Sequence, residues 1–370
     1  MISEPVIQAL AFSAPAVSAL VCMVIMLLDA LYSGKNRSER QLRRFLSLTC
    51  VLSTLFWTGL VFQVTNQDVF VYYHSLFLFT LMMEQICIYR FVHIITSTER
   101  YNTFSWLHYV LPVIMTVISV VCAFAIPFEE QKAAIFGGNT DFSWFDVLYT
   151  VTGLIFISYT SFYPILGLIR MRRYKQKIVD YSADKQRTSL DWLIVLQTLN
   201  LICIPVPLTG MLLNIDIFND FWSSMQGVLP SFFICPIMCY NLLSDNFVII
   251  EPDDDFLSEK FVPIEPKRFV RYLRDKKPYL NSKLRITDVA LELNTNRTYM
   301  SAFINKEYGM NFSRFINRCR LDELDRLRQL PKSKSSTNID LVLMAGFSSY
   351  RSYVRSKNEE DKTRVLKIYG

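Results

Sequence analysis

Seven long stretches of this chain carry very few charged residues, and they limit the possible fold more than any other feature. They cover residues 7–32, 45–66, 69–95, 106–127, 144–169, 189–213 and 221–244. A bilayer core of roughly 30 Å is crossed by about 20 apolar helical residues. Segments such as VLPVIMTVISVVCAFAIPF have no polar face at helical spacing, which is typical of a membrane span. The sequence therefore predicts an all-α fold in which residues 1–245 form a bundle of seven transmembrane helices.

The basic residues between these stretches predict the orientation of the bundle. The segments SGKNRSERQLRR and RMRRYKQKIVDYSADKQR are strongly basic, whereas NQD, EEQKAAIFGGNTD and NIDIFND are acidic or nearly neutral. Basic loops stay in the cytoplasm, so we expect the N-terminus outside and the C-terminus in the cytoplasm. MISEPVIQ has no basic residue ahead of the first span, which favours an uncleaved helix over a cleaved signal peptide.

The charge distribution changes after residue 245. Residues 1–245 carry 15 Lys and Arg against 16 Asp and Glu, whereas 24 Lys and Arg face 12 Asp and Glu from Lys260 onward. Residues 246–266 include EPDDDFLSEKFVPIEP, whose acidic residues and prolines predict an extended linker. The basic tail suits a polyanionic partner, which is either nucleic acid or an anionic lipid surface.

The tail, residues 267–370, has the hydrophobic spacing of a helical domain. In ITDVALELN the apolar positions recur at helical spacing, and a short polar turn follows. Asn296 at the end of that turn is a predicted N-cap for RTYMSAFINKEYG, which Gly309 would end. Two helices joined by such a turn are typical of a helix-turn-helix, in which the second helix enters the major groove of DNA.

Two runs in the tail resemble a known family. ITDVALELNTNRTYMSAFINKEYGMNFSRFINRCRLDEL resembles the first half of the AraC/XylS arabinose-regulator DNA-binding domain. NIDLVLMAGFSSYRSYVRSK, with its Gly-Phe-Ser-Ser turn at 346–349, resembles the second half. The resemblance covers about residues 265–368. It implies two helix-turn-helix motifs joined by a long linker helix around 312–329, and it implies a bacterial transcription regulator.

The resemblance also implies which residues contact double-stranded DNA. They are Arg297, Thr298, Ser301 and Asn305 in the first recognition helix and Tyr350, Arg351, Ser352 and Arg355 in the second. Arginine can bond to guanine through two donors, while Ser, Thr and Asn can reach bases or phosphates. The expected location is the bacterial inner membrane, and a homodimer is one expected assembly.

Glu84 is the acidic residue that lies deepest in the predicted third span. An ionisable group at that depth is costly and normally faces the bundle interior or a water-filled cavity. Glu84 is therefore a contact for a signal, a proton-sensitive switch, or a structural carboxyl bonded to a Ser, Tyr or Asn of a neighbouring helix.

Metal and catalytic motifs are missing from the sequence. The three histidines and eight cysteines show no CxxC or HxxxH spacing, and seven of the cysteines lie in apolar runs, so we predict buried thiols, no metal and no cofactor. HExxH, GxSxG and a pair of intramembrane Asp residues are absent, which argues against an enzyme.

Two functions remain after these arguments. The first is a membrane-anchored regulator that binds specific DNA and whose membrane domain senses a small-molecule or membrane signal. The alternative is a seven-span receptor or transporter whose basic tail binds lipid or a protein. The residue types at 297–305 distinguish these two functions, because a lipid-binding helix needs exposed Lys and Arg beside apolar side chains rather than Thr, Ser and Asn.

Overall fold

A computed structural model describes residues 4–32, 37–97, 104–136, 144–178, 190–203, 221–247, 264–330 and 337–368. These residues form fourteen α-helices, and no β-strand occurs among them, which confirms the predicted all-α class. The chain divides into two compact units, one built mainly from the first 245 residues and the other mainly from the residues that follow. Most of the predicted linker, residues 248–263, lies outside the described residues.

Eight helices lie in the described residues before residue 245. They are α1 (Glu4–Tyr32), α2 (Arg37–Thr65), α3 (Gln67–Thr96), α4 (Val110–Ala125), α5 (Phe128–Phe136), α6 (Trp144–Ile178), α7 (Asp191–Cys203) and α8 (Phe221–Leu243). A short 3-10 helix, Trp106–Tyr109, leads into α4. The first helix packs against α2 and α8, α3 packs against α2, α4 and α5, and α7 packs against α8.

Five of these helices are long and apolar enough to cross a membrane, namely α1, α2, α3, α6 and α4 with its preceding turn. Their outer faces are apolar too: Val117 and Val121 on α4 are 56% and 59% exposed. An apolar face left uncovered along a whole helix requires an apolar solvent, so the chain is a membrane protein. The helices α7 and α8 are shorter, and residues 204–213 of the predicted sixth span lie outside the described part, so the count of seven spans stays a prediction.

Arg43 lies in the basic segment that follows the first span, but it is fully buried in the structure. Helix α2 already begins at Arg37, so Arg43 lies on a helix. Its guanidinium pairs with Asp29 of α1, with Asp245 just beyond α8 (Nη2 to Oδ1, 3.5 Å) and with the carbonyl oxygen of Leu242 (3.1 Å). Arg43 of α2 therefore connects α1, α2 and α8 through these bonds at one end of the bundle.

Helix α5 covers residues 129–136 of the segment EEQKAAIFGGNTD, and the rest of this segment lies outside the described residues. Gln131 fixes this helix to the end of α4, because its Nε2 donates to the carbonyl oxygens of Ala123 (3.0 Å) and Ile126 (2.7 Å). Lys132 of α5 pairs with Asp68 of α3 at 2.7 Å. Ring contacts of Phe128 with Tyr72 and of Phe136 with Phe70 also hold this helix to α3. Its nine residues are too few for hydrophobic spacing to have indicated it.

Six helices form the described part of the C-terminal unit. They are α9 (Pro266–Lys276), α10 (Ile286–Glu292), α11 (Arg297–Tyr308), α12 (Phe312–Arg328), α13 (Asn338–Met344) and α14 (Tyr350–Ile368), with a 3-10 helix at Pro278–Leu280 between α9 and α10. Helix α12 packs against α11, α13, α14 and this 3-10 helix. It therefore contacts helices on both sides of it along the chain.

The core of the C-terminal unit has one cluster at each end of α12. At the first end, the buried ring of Phe269 lies 5.2 Å from that of Phe303 and 5.6 Å from that of Phe315. At the second end, the buried residues are Leu324, Leu327, Leu341, Val342, Ala345, Phe347 and Tyr353. Each cluster packs one pair of helices against α12, and this burial is what stabilises the unit.

Candidate functional site

Helices α10 and α11 are joined by a tight turn that backbone and side-chain hydrogen bonds stabilise. At the start of α10, the backbone N–H of Arg285 donates to Asp288 Oδ2 at 2.8 Å. In the turn, Asn294 has a left-handed φ of 55°, and the N–H of Thr295 donates to the carbonyl of Ala290 at 2.9 Å. Asn296 then caps α11 as predicted, since its Oδ1 accepts the N–H of Tyr299 at 2.9 Å.

The connection from α13 to α14 repeats this arrangement. The N–H of Thr337 donates to Asp340 Oδ2 at 3.0 Å. Hydrogen bonds from the Thr337 hydroxyl and from this N–H lower the pKa of Asp340. Gly346 has a left-handed φ of 95°, and the N–H of Phe347 donates to the carbonyl of Val342 at 3.3 Å.

These two turns are a structural repeat within the chain. Arg285 matches Thr337, Ala290 matches Val342 and Asn294 matches Gly346, all at one constant spacing along the chain. The cap of the second long helix comes one position later, since Ser349 Oγ accepts the N–H of Ser352 at 3.1 Å. Each half is thus a short helix, a left-handed turn and a longer helix.

The four residues singled out in α11 lie on one outer face. Positions 297, 298, 301 and 305 fall within an arc of about 100° on a helix of 3.6 residues per turn. Thr298 and Asn305 are exposed, and Arg297 and Ser301 are partly exposed. Met300 and Ile304, on the inner face, are completely buried. Tyr299 is exposed as well, but it lies about 100° beyond Thr298 around the helix and therefore outside this arc.

The four residues singled out in α14 do not share one environment. Tyr350 and Arg351 are exposed and Arg355 is partly exposed, whereas Ser352 is buried, with 9% of its surface exposed. Ser352 occupies the inner face with Tyr353, and its carbonyl accepts the hydroxyl of Ser356 at 3.0 Å. The sequence-based choice of Ser352 took its position from the family resemblance, but here the core residue Tyr353 turns that side of α14 inward.

Arg320 of α12 fixes the geometry between the two halves of the unit. It is 1% exposed, and it donates from Nε to the carbonyl of Tyr279 and from Nη2 to the carbonyl of Asn281, both at 2.8 Å. Its Nη1 also donates to Asn317 Oδ1 at 3.0 Å. In the sequence Arg320 is one basic residue among many, and nothing in its local pattern marks it as buried.

Further polar bonds hold α12 to α13 and α14. Arg314 pairs with Glu360 at 3.2 Å, and Arg328 donates to Asn338 Oδ1 at 3.1 Å. Glu323 accepts from Arg326 at 2.7 Å and from Lys277 at 3.2 Å, and these bonds lower the pKa of Glu323. Part of the basic excess of the tail therefore serves its own folding.

Glu84, the acidic residue singled out in the third span, lines a cavity of about 820 Å³ inside the membrane unit. Its carboxyl interacts with the hydroxyl of Ser53 on α2, as expected for a carboxyl that bonds to a neighbouring helix. Two residues that sequence reasoning missed line the same cavity and bond to each other: Asn200 on α7 donates from Nδ2 to Gln85 Oε1 at 3.1 Å. Nothing in the spacing of Gln85 and Asn200 along the sequence marked them.

The described residues thus contain two candidate sites, a repeated pair of exposed helix faces in the C-terminal unit and a polar cluster in a membrane cavity. The first can present arginine, hydroxyl and amide groups to a large polar surface. The second can hold a small molecule. Comparison of the chain with known protein families, with curated proteins and with solved structures finds no match.

Proposed function

We propose that this chain is a membrane-anchored transcription regulator that binds double-stranded DNA through two helix-turn-helix motifs of the AraC type. The observation that carries the proposal is the repeat in the C-terminal unit. Each half has a short helix, a tight left-handed turn and a longer helix with a capped N-terminus, which is the geometry expected of a helix-turn-helix. The resemblance of both halves to the AraC/XylS domain supports the same conclusion.

In this proposal α11 and α14 are the recognition helices. Arg297, Thr298, Ser301 and Asn305 contact DNA from α11, and Tyr350, Arg351 and Arg355 contact it from α14. Arg351 suits a guanine edge, while Thr and Asn suit bases or phosphates. Ser352 is left out because its side chain is buried.

Helix α12 gives the two recognition helices a fixed separation. It packs against α11 at one end and against α13 and α14 at the other. A rigid spacer of this kind allows one chain to read two successive segments of the major groove, and the remaining basic excess of the tail supplies salt-dependent attraction to phosphates.

The membrane unit anchors the regulator and senses a signal. We propose the bacterial inner membrane, with the N-terminus outside, the C-terminus in the cytoplasm and seven spans in which α7 and α8 belong to the last two. A signal acts by binding two states of the protein with different affinity. A lipid-binding tail, the alternative, is disfavoured because the outer face of α11 carries Thr298, Ser301 and Asn305 rather than lysines with apolar wedges.

The test uses the full chain in nanodiscs of uncharged lipid, incubated with fragmented genomic DNA. Sequencing of the retained fragments gives the preferred site, and gel-shift titration gives its affinity. We expect Arg351→Ala and Asn305→Ala each to weaken that affinity about 10- to 100-fold, the cost of one base contact of about 1–3 kcal/mol. Arg318→Ala, an exposed arginine on α12, is the matched control and retains site selectivity.

Two outcomes contradict this proposal. If all genomic fragments are retained to the same extent at every salt concentration, the protein does not bind DNA sequence-specifically. Binding of the protein to anionic liposomes together with an absence of DNA retention would support the lipid-binding alternative.

A further inference from the structure

The cavity in the membrane unit is elongated and mostly apolar. Gln8 near the start of α1, Gln63 near the end of α2 and Gln67 at the start of α3 place one end of it at the end of the bundle. Glu84 lies seventeen positions after Gln67, which is about 25 Å along α3 at 1.5 Å per residue. The cavity thus reaches from the bundle end to the middle of the membrane unit.

Aromatic and aliphatic side chains line the length between these ends. They include Phe12, Phe56, Trp57, Phe77, Leu81 and Phe156. A volume of about 820 Å³ is in the range of small-molecule sites, which are mostly apolar with a few convergent polar groups. The walls therefore suit an extended apolar body.

Glu84 and Asn200 bring two hydrogen-bond acceptors to the inner end of the cavity, which Ser53 and Gln85 also line. Glu84 supplies a carboxyl group, and Asn200, which is 3% exposed, supplies its Oδ1. The Nδ2 of Asn200 already donates to Gln85, whereas its Oδ1 accepts no hydrogen bond from the described residues. A buried carbonyl oxygen without a donor is costly, and a carboxylate in low dielectric favours a positive partner.

We propose that this cavity binds an amphipathic amine, whose ammonium group donates to the Glu84 carboxylate and to Asn200 Oδ1 while its apolar body lies along the aromatic walls. An ammonium has three donors and no acceptor, so it satisfies both oxygens at once. A fatty acid would place a second carboxyl against that of Glu84, and an alcohol has one donor for the two acceptors and no positive charge. That this amine is the signal for the DNA-binding unit rests on the proposed function; the binding itself does not.

The probe for this site is dodecylamine that carries a photoreactive diazirine on its chain. It is added to the full-length protein in nanodiscs without DNA, and labelled peptides are identified by mass spectrometry. We expect saturable labelling of cavity-wall peptides that include Phe56, Trp57 or Phe156. Unlabelled dodecylamine competes, and dodecanol and dodecanoate compete about tenfold more weakly or worse, because a charge-assisted bond is lost.

Two substitutions compare the same chemical change at different places. Glu84→Gln is expected to weaken dodecylamine binding at least about tenfold, whereas Glu130→Gln on the exposed side of α5 leaves it unchanged. Asn200→Leu removes the second acceptor and weakens binding as well. If a variant fails to fold, the competition by dodecylamine, dodecanol and dodecanoate in the unsubstituted protein still tests whether the site prefers an amine.

Three results would overturn the proposal. In the first, unlabelled dodecylamine fails to displace the labelling. In the second, the labelling is confined to outward-facing residues of α1 and α4, and in the third, dodecanol competes as well as dodecylamine. Since no DNA is present, these results are independent of the DNA-binding test. Binding of the amine without any DNA selectivity would contradict only the proposed function.

Discussion

Arg320 donates a hydrogen bond of 2.8 Å to the carbonyl oxygen of Tyr279, and the α-carbon of Gly346 lies against that same carbonyl group. A β-carbon at Gly346 would collide with this oxygen and would come 2.7 Å from the α-carbon of Leu280. The turn of the second repeat, the 3-10 helix of the first half and α12 therefore meet at one point. This contact sets the separation of the two proposed recognition helices.

Gly346→Ala should destabilise the C-terminal unit by about 2–4 kcal/mol, because it adds a clash with backbone atoms to an unfavourable left-handed φ. Gly309→Ala is the matched control. Gly309 also has a left-handed φ, 65°, but nothing lies within 4 Å of a β-carbon there, so we expect a loss of about 1 kcal/mol. Hydrogen exchange of peptides from α12 and α13 in the full chain measures both values, and equal losses would contradict the role of the contact.

Arg320→Gln should cost about 2–4 kcal/mol, since it removes a buried guanidinium that donates to the partly buried carbonyls of Tyr279 and Asn281. Arg320→Lys should recover little of this loss, because one ammonium cannot reproduce the planar fork that reaches both oxygens. Arg318→Gln, an exposed arginine on the same helix, should change stability by less than about 0.5 kcal/mol. The same hydrogen-exchange experiment measures all three. Full recovery by lysine would show that charge alone matters at position 320.

The sequence predicted the elements whose signal is local. Hydrophobic runs indicated the five long apolar helices, and the turn ahead of α11 with its cap at Asn296 followed from residue types that hydrogen-bond their own backbone. These features depend on neighbours within a few positions along the chain, so single-sequence reasoning reaches them.

Features that depend on distant partners were not predictable. Arg43 and Arg320 are both fully enclosed, yet each was counted with the basic residues that mark cytoplasmic loops or attract phosphates. Ser352 is buried because Tyr353 packs against residues of α12 and α13. Asn200 meets Gln85 from more than a hundred positions away. In each case burial is decided by packing between helices, which hydrophobic spacing does not encode.

Arg43→Ala should destabilise the membrane unit by about 2–3 kcal/mol. The change leaves Asp29, Asp245 and the carbonyl of Leu242 without their shared cation. The loss is below that of a fully buried pair because both aspartates remain about a quarter exposed, with 23% each. Thermal unfolding of the full chain in detergent measures the effect. Arg44→Ala, exposed on the next position of α2, is the control, and an equal loss there would contradict the ion-pair network.

Glu323 should make the stability of the C-terminal unit depend on pH. Its bonds to Arg326 and Lys277 lower the pKa of its carboxyl below the ordinary value of 4.5. A carboxyl whose pKa is lower in the folded state stabilises the fold above the unfolded pKa, and this stabilisation is lost as pH falls through the folded pKa. Glu323→Gln removes the titrating group, so we expect a flatter pH dependence below about pH 4.5 in hydrogen exchange of α12 peptides, corrected for the intrinsic exchange rate. Glu307→Gln, exposed on α11, should leave the wild-type slope in place. An unchanged slope in Glu323→Gln would mean that other carboxyls control the acid sensitivity of this unit.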